Sequence, residues 1–117
     1  ILSSVLQYLE KPYYWLEKFC GFDIPYLLLD RTPFSKNNKE EIKIQKVSPS
    51  IYDASYPSYV FSEDQMLAFF NNKKYTVFER FPSSVDVDSK DIYFRGFFLS
   101  RVDYDRQKKI INLKAEI

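Results

Sequence analysis

The chain has 117 residues, the size of about one domain, with 17 Lys and Arg against 16 Asp and Glu for a formal charge of +1. That balance excludes a strongly basic nucleic-acid binder or an acidic tail as the identity of the whole chain. No His, one Cys and two Gly exclude His-based triads, most zinc sites, an internal disulfide and glycine-rich phosphate cradles. From the N-terminus, Ile1-Leu2 reads as the end of an apolar strand. Ser4, with Gln7 three residues on, offers a capping box to a short helical turn carrying Val5, Leu6 and Leu9. Lys11-Pro12 interrupts that turn, because the residue before Pro avoids helical backbone, and Pro12 suits the first position of a new helix. Tyr13, Leu16, Phe19 and Cys20 form its apolar stripe, Cys20 reading as a buried helix-end residue, and Gly21 is the expected left-handed residue past its end.

Ile24 to Leu29 is a short, continuous apolar run closed by Asp30, the pattern of a strand buried on both faces with parallel neighbours. Strand, helix, strand in this order predicts a βαβ unit with a right-handed crossover. Thr32-Pro33-Phe34 is expected to break the strand, and Ser35 to Glu41 to form a polar loop. Ile42 and Ile44 alternate with polar residues and predict a short half-buried strand. Ser48 to Phe61 holds three Tyr, two Pro and almost no charge, and reads as a covering loop. Ser62-Glu63-Asp64-Gln65 is a second capping box, opening a helix through Met66, Leu67, Phe69 and Phe70 that Asn71-Asn72 ends. Tyr75 to Phe81 and Ile92 to Arg101 predict two strands joined by a polar turn, an antiparallel hairpin in which Gly96 marks a bulge or a close approach. Domain 1–102 is thus separated from a mixed-charge tail, 103–117, which either docks through Ile110, Ile111 and Leu113 or frays. Eleven Phe, ten Tyr and one Trp, each removing about 150–250 Å² from water when buried, fill a core in a short chain.

One Cys makes a reducing compartment the default, so the chain is expected to be cytoplasmic. No apolar run approaches the roughly 20 residues of a membrane span. The start, without a basic n-region and without Met, is read as a cut within a longer polypeptide.

The order of elements resembles the C-terminal half of a class I methyltransferase, the Rossmann-like α/β fold that binds S-adenosylmethionine. There, parallel strands are joined by a helix, another helix follows, and the sheet closes with an antiparallel hairpin. Within that group the chain resembles a small bacterial methyltransferase family. The resemblance rests on Ser3 to Leu9, Asp30-Arg31-Thr32-Pro33-Phe34, Val47 to Tyr52, Ala54-Ser55-Tyr56-Pro57, and Phe94-Arg95-Gly96-Phe97 with Arg101. It implies methyl transfer from S-adenosylmethionine to a small-molecule acceptor. The glycine-rich turn and ribose-holding acid of such domains are absent from these residues, so this chain alone is expected to bind the cofactor negligibly and to be inactive.

The resemblance puts Ser3, Gln7 and Tyr8 beside the cofactor's methionine portion; their alternative roles are capping and packing. Asp30 is the candidate for orienting or deprotonating the acceptor, or else for pairing with Arg31 or capping the next turn. Arg31 suits an acceptor carboxylate or phosphate, or a surface ion pair. Tyr52, Tyr56 and Tyr59 are candidates for a stiff aromatic lid over a sugar or aromatic acceptor, or for packing over the sheet. Lys73-Lys74 and Lys108-Lys109 read as solvated faces, and no metal site is expected. The buried-strand reading leaves an exposed sheet edge and predicts a homodimer or larger assembly. The reading from another class is a non-catalytic, aromatic-rich α/β interaction module.

Overall fold

A computed structural model describes residues 1–46, 50, 55–83 and 86–102. It is an α/β arrangement with a four-stranded mixed sheet, two helices and a separate two-stranded hairpin. Strand β1 (Leu2–Ser3) leads through a 3-10 turn (Leu6–Tyr8) into helix α1 (Pro12–Gly21) and then strand β2 (Tyr26–Ser35). The hairpin β3 (Glu41–Lys46) and β4 (Ser55–Val60) follows, then α2 (Glu63–Asn72), β5 (Tyr75–Pro82) and β6 (Ile92–Arg101). The main sheet runs β1-β2-β6-β5. β1 is parallel to β2, with Leu2 opposite Leu29, while β6 is antiparallel to both β2 and β5.

The helices form where the sequence places them. Pro12 opens α1 and Lys11 turns into it at φ 55°. Leu16 and Cys20 are buried on its inner stripe, with Tyr13 packed against the core. Gly21 is the last helical residue rather than the left-handed one; that conformation falls at Asp23, φ 57°. Asp tolerates it better than most residues, so no glycine is required. Ser62 caps α2 by accepting from the Gln65 N–H at 3.2 Å. The first turn is different. Ser4 adopts φ 53° and caps nothing; the 3-10 turn begins after Val5 without a side-chain cap.

β2 departs most from expectation. Thr32-Pro33-Phe34 continues the strand instead of breaking it, because a bulge absorbs the local irregularity. Leu29 pairs with Phe97 and Thr32 with Arg95, so Asp30 and Arg31 together oppose Gly96 alone. Arg31 takes φ 51° to make this possible. Nor is β2 buried on both faces. Leu27 and Leu29 join Phe97, Leu99, Leu16, Met66, Phe70 and Tyr75 in the core, whereas Tyr26 and Leu28 remain half-exposed. Its neighbours are one parallel and one antiparallel strand, so alternation survives inside an apolar run.

The hairpin is also turned over relative to its sequence pattern. Ile42 and Ile44 are 58% and 63% exposed, while Ser58 and Val60 are buried. The face carrying Lys43, opposite Ser58, is therefore the inner one. Residues 55–60 form a strand, not a loop; the remainder of that stretch, apart from Ser50 and Phe61, lies outside the described residues, as does the tail 103–117. Phe61 ties the hairpin to the sheet. Its N–H donates to the Pro33 carbonyl at 3.0 Å and its carbonyl accepts from Ser35 at 2.9 Å. Around it, Phe34, Phe61 and Phe97 are essentially fully buried, with the Phe34 and Phe97 rings edge to face at 5.6 Å.

Candidate functional site

The bulge in β2 builds the site. The carbonyls of its two residues are met by the segment that runs from β1 into the 3-10 turn. The Asp30 carbonyl accepts from the Ser4 N–H at 3.1 Å. The Arg31 carbonyl accepts from Gln7 Nε2 at 3.4 Å, and the same nitrogen donates to Ser4 Oγ at 3.2 Å. The anticipated Ser4–Gln7 contact thus exists, but it braces a bulge and does not cap a helix. Gln7 is 2% exposed, and its Oε1 has no hydrogen-bond partner among the described residues.

Asp30 closes its own turn. One carboxylate oxygen accepts from the Arg31 N–H at 2.8 Å. The Arg31 guanidinium reaches across to the β5–β6 connection and grips Asp86, Nε to Oδ2 at 3.0 Å and a second nitrogen to Oδ1 at 3.3 Å. Ser83 also donates to Asp86, at 2.8 Å. The bond from Arg31 outweighs burial and holds the Asp86 carboxyl below the ordinary carboxylate range. The fork of Arg31 is therefore engaged by the protein itself.

Over this floor lies a cavity of about 380 Å³, lined by Ser4, Gln7, Tyr8, Arg31, Pro33 and Asp86 on one side and by Lys43, Ile44, Ser58 and Val60 of the hairpin on the other, with Ile92 and Phe94 from β6. Tyr56 packs edge-on against Tyr8, ring centres 5.5 Å apart. A second, more polar cavity of about 370 Å³ shares Lys43, Val60 and Ile92 with the first and continues to Lys36, Glu41 and Asp91. A third, apolar hollow of about 240 Å³ lies beside β1 between Leu2, Phe19 and Ile24.

Of the residues expected from the sequence, Gln7, Tyr8 and Arg31 share one cavity, and Tyr56 stands at Tyr8. Asp30 is beneath them with its carboxylate committed to the backbone. Ser3 is exposed, paired with Asp30 across the ladder, and does not line the cavity. Tyr59, three residues from Tyr56 along a strand, projects to the opposite face and stacks on Phe61 at 5.9 Å. It packs against the core and forms no lid with Tyr56. Tyr52 lies outside the described residues. Lys43, Ser58 and Asp86 were missed. The alternation around Ile42 and Ile44 put Lys43 on the opposite face of a short strand, whereas Ser58 fell in a stretch read as a loop, and only the pairing of β3 with β4 sets the two side by side.

Gly21 ends a helix, Gly96 lies under the Phe81 ring, and neither has the positive φ of a turn wrapping a ligand. Among the described residues no group of three or more His, Cys, Asp or Glu is placed to hold a metal ion, and no helix is long and apolar enough to cross a membrane. Compared with protein-family models, with curated proteins and with solved structures, the chain matches none.

Proposed function

We propose that this chain forms the acceptor-side half of an S-adenosylmethionine-dependent methyltransferase domain, the cofactor being held by sequence outside these residues. The observation that carries the reading is the cavity at the carboxyl end of β1. Ligands of open α/β sheets sit outside the carboxyl ends of strands, and Gln7, Tyr8 and Arg31 meet there. The parallel β1–β2 pair joined through α1, and the closing antiparallel β5–β6 pair, support it. On this reading the chain's own contribution is positional. Methyl transfer is a displacement that needs alignment above all, and a cavity braced by the bulge, the Arg31–Asp86 pair and the hairpin holds an acceptor in one orientation. Asp30 then acts by fixing the bulge, as a positioning residue. The test is radiolabelled methyl transfer by a longer polypeptide of the same reading frame, compared with this chain alone. Transfer by the longer protein only is expected. A longer protein that binds no S-adenosylmethionine overturns the reading.

A second reading, a non-catalytic interaction module, is favoured by one observation: Ile42 and Ile44 project into solvent beside each other on the outer face of the hairpin. Adjacent exposed isoleucines are unusual without a partner surface. Retained methyl transfer with Ile42→Thr, together with unchanged association, removes this alternative.

A further inference from the structure

The cavity under the hairpin asks for a ligand of definite chemistry, and three of its features set that chemistry. The first is Gln7. Its amide nitrogen donates to Ser4 Oγ and to the Arg31 carbonyl, and the carbonyl, which can only accept, favours this orientation of the amide. Its Oε1 is left without a donor in a side chain that is 2% exposed. A buried acceptor left without a donor is destabilising. Gln7 lines the cavity, so the donor it lacks is one that a bound ligand can bring, a hydroxyl or an N–H.

The second feature is charge. Of the two cations in the lining, Arg31 is neutralised by Asp86, whereas Lys43 makes no ion pair among the described residues. The lining therefore carries a net positive charge, located on the hairpin side of the cavity. The third is the rim, where Tyr8 and Tyr56 are 46% and 40% exposed and keep ring surface free for the apolar face of a ligand ring. The volume, about 380 Å³, falls at the lower end of small-molecule pockets, which span about 300–1,000 Å³.

We infer that this cavity binds a hydroxylated sugar ring bearing one anionic group, a hydroxyl donating to Gln7 Oε1, the anion facing Lys43, and a ring face against Tyr8. The inference rests on the proposed function only in taking that sugar as the methyl acceptor; binding itself needs no cofactor. A uronate and a sugar phosphate both meet the requirement.

The test is titration of the isotope-labelled full chain with D-glucuronate, D-glucose 6-phosphate, D-glucose and inorganic phosphate, followed by NMR. Both charged sugars should shift the Gln7 side-chain amide and the Lys43 resonances. Glucose and phosphate should each bind about tenfold more weakly, the loss expected for one charge-assisted contact. The tighter of the two charged sugars identifies the anion. Lys43→Met should reduce charged-sugar affinity about tenfold without altering glucose, and Lys43→Arg should restore most of it. No shift at Gln7 with either charged sugar overturns the inference, as does phosphate binding as tightly as glucose 6-phosphate. Gln7→Met tests the hydroxyl contact directly; should it unfold the chain, the Lys43 variants still decide. Sugar binding without methyl transfer in the longer protein would remove the methyltransferase reading and leave this one standing.

Discussion

Gly96 stands opposite the two-residue bulge of β2 and beneath the ring of its cross-strand partner Phe81. A Cβ there would lie 2.1 Å from the Phe81 ring and 2.9 Å from the Leu29 carbonyl oxygen. Gly96→Ala should therefore cost about 1–3 kcal/mol through overpacking, read as a lowered urea midpoint. The cost should shrink in a Phe81→Ala background, leaving the part owed to the Leu29 carbonyl. At Asp30 two roles separate cleanly. Asn retains an acceptor for the Arg31 N–H, so Asp30→Asn should leave the fold intact, while Asp30→Ala should cost about 1 kcal/mol. A positioning role predicts methyl transfer by the longer protein largely preserved in Asp30→Asn; loss of transfer with intact folding would make Asp30 a base.

At the scale of the element, α2 is secured at both its start and its first turn. Ser62 is buried, accepts from Gln65 and donates to Asn38 Oδ1 at 2.8 Å. Ser62→Ala should cost about 1 kcal/mol, measured by chemical denaturation. One residue on, Glu63 receives Arg80 Nε at 2.6 Å and the Tyr93 hydroxyl. Burial pushes the Glu63 carboxyl up, but the bonds from Arg80 and Tyr93 pull harder and the net displacement is downward. A carboxyl lowered on folding contributes stability that is present above its unfolded value, about 4.3, and is lost as pH falls through the folded value. Tyr93, raised first by burial and then by Glu63 to about 12, gives the alkaline counterpart. Its contribution is complete below the unfolded value of about 10 and is lost as pH rises towards the folded one. Glu63→Gln should flatten the acid arm of the stability profile, and urea midpoints across acidic buffers check this.

For the whole molecule, the consequential feature is the short β1. It pairs with β2 on one side, and among the described residues its other edge has no strand partner. The apolar hollow lined by Ile1, Leu2, Phe19 and Ile24 adjoins it. An open edge beside apolar surface is a template for pairing. The methyltransferase reading supplies the missing neighbour from the same domain. The isolated chain should therefore self-associate in light scattering, and the longer protein should not. A chain that stays monomeric at high concentration would contradict the open-edge expectation.

Local chemistry was sufficient for the elements whose signals lie within a few residues. Pro12 opens α1, Ser62 caps α2, and the strand Ile92–Arg101 and its antiparallel pairing follow from β-forming residues on either side of a polar turn. Gln7 and Tyr8, nominated from the resemblance, and Arg31, nominated from its place after an apolar run, line one cavity, although the capping expected of Ser4 and Gln7 is replaced by a brace on the bulge. Tertiary structure decided the rest. Whether Thr32-Pro33 breaks β2 depends on a bulge that only β6 and Gly96 make possible. Whether Ile44 or Lys43 faces inward depends on where Phe61 bridges to Phe34, since a period of two is satisfied equally by either face. The partners Asp86 and Lys43 reach the cavity from segments distant in sequence, so their convergence is a property of the packed sheet and of no local pattern.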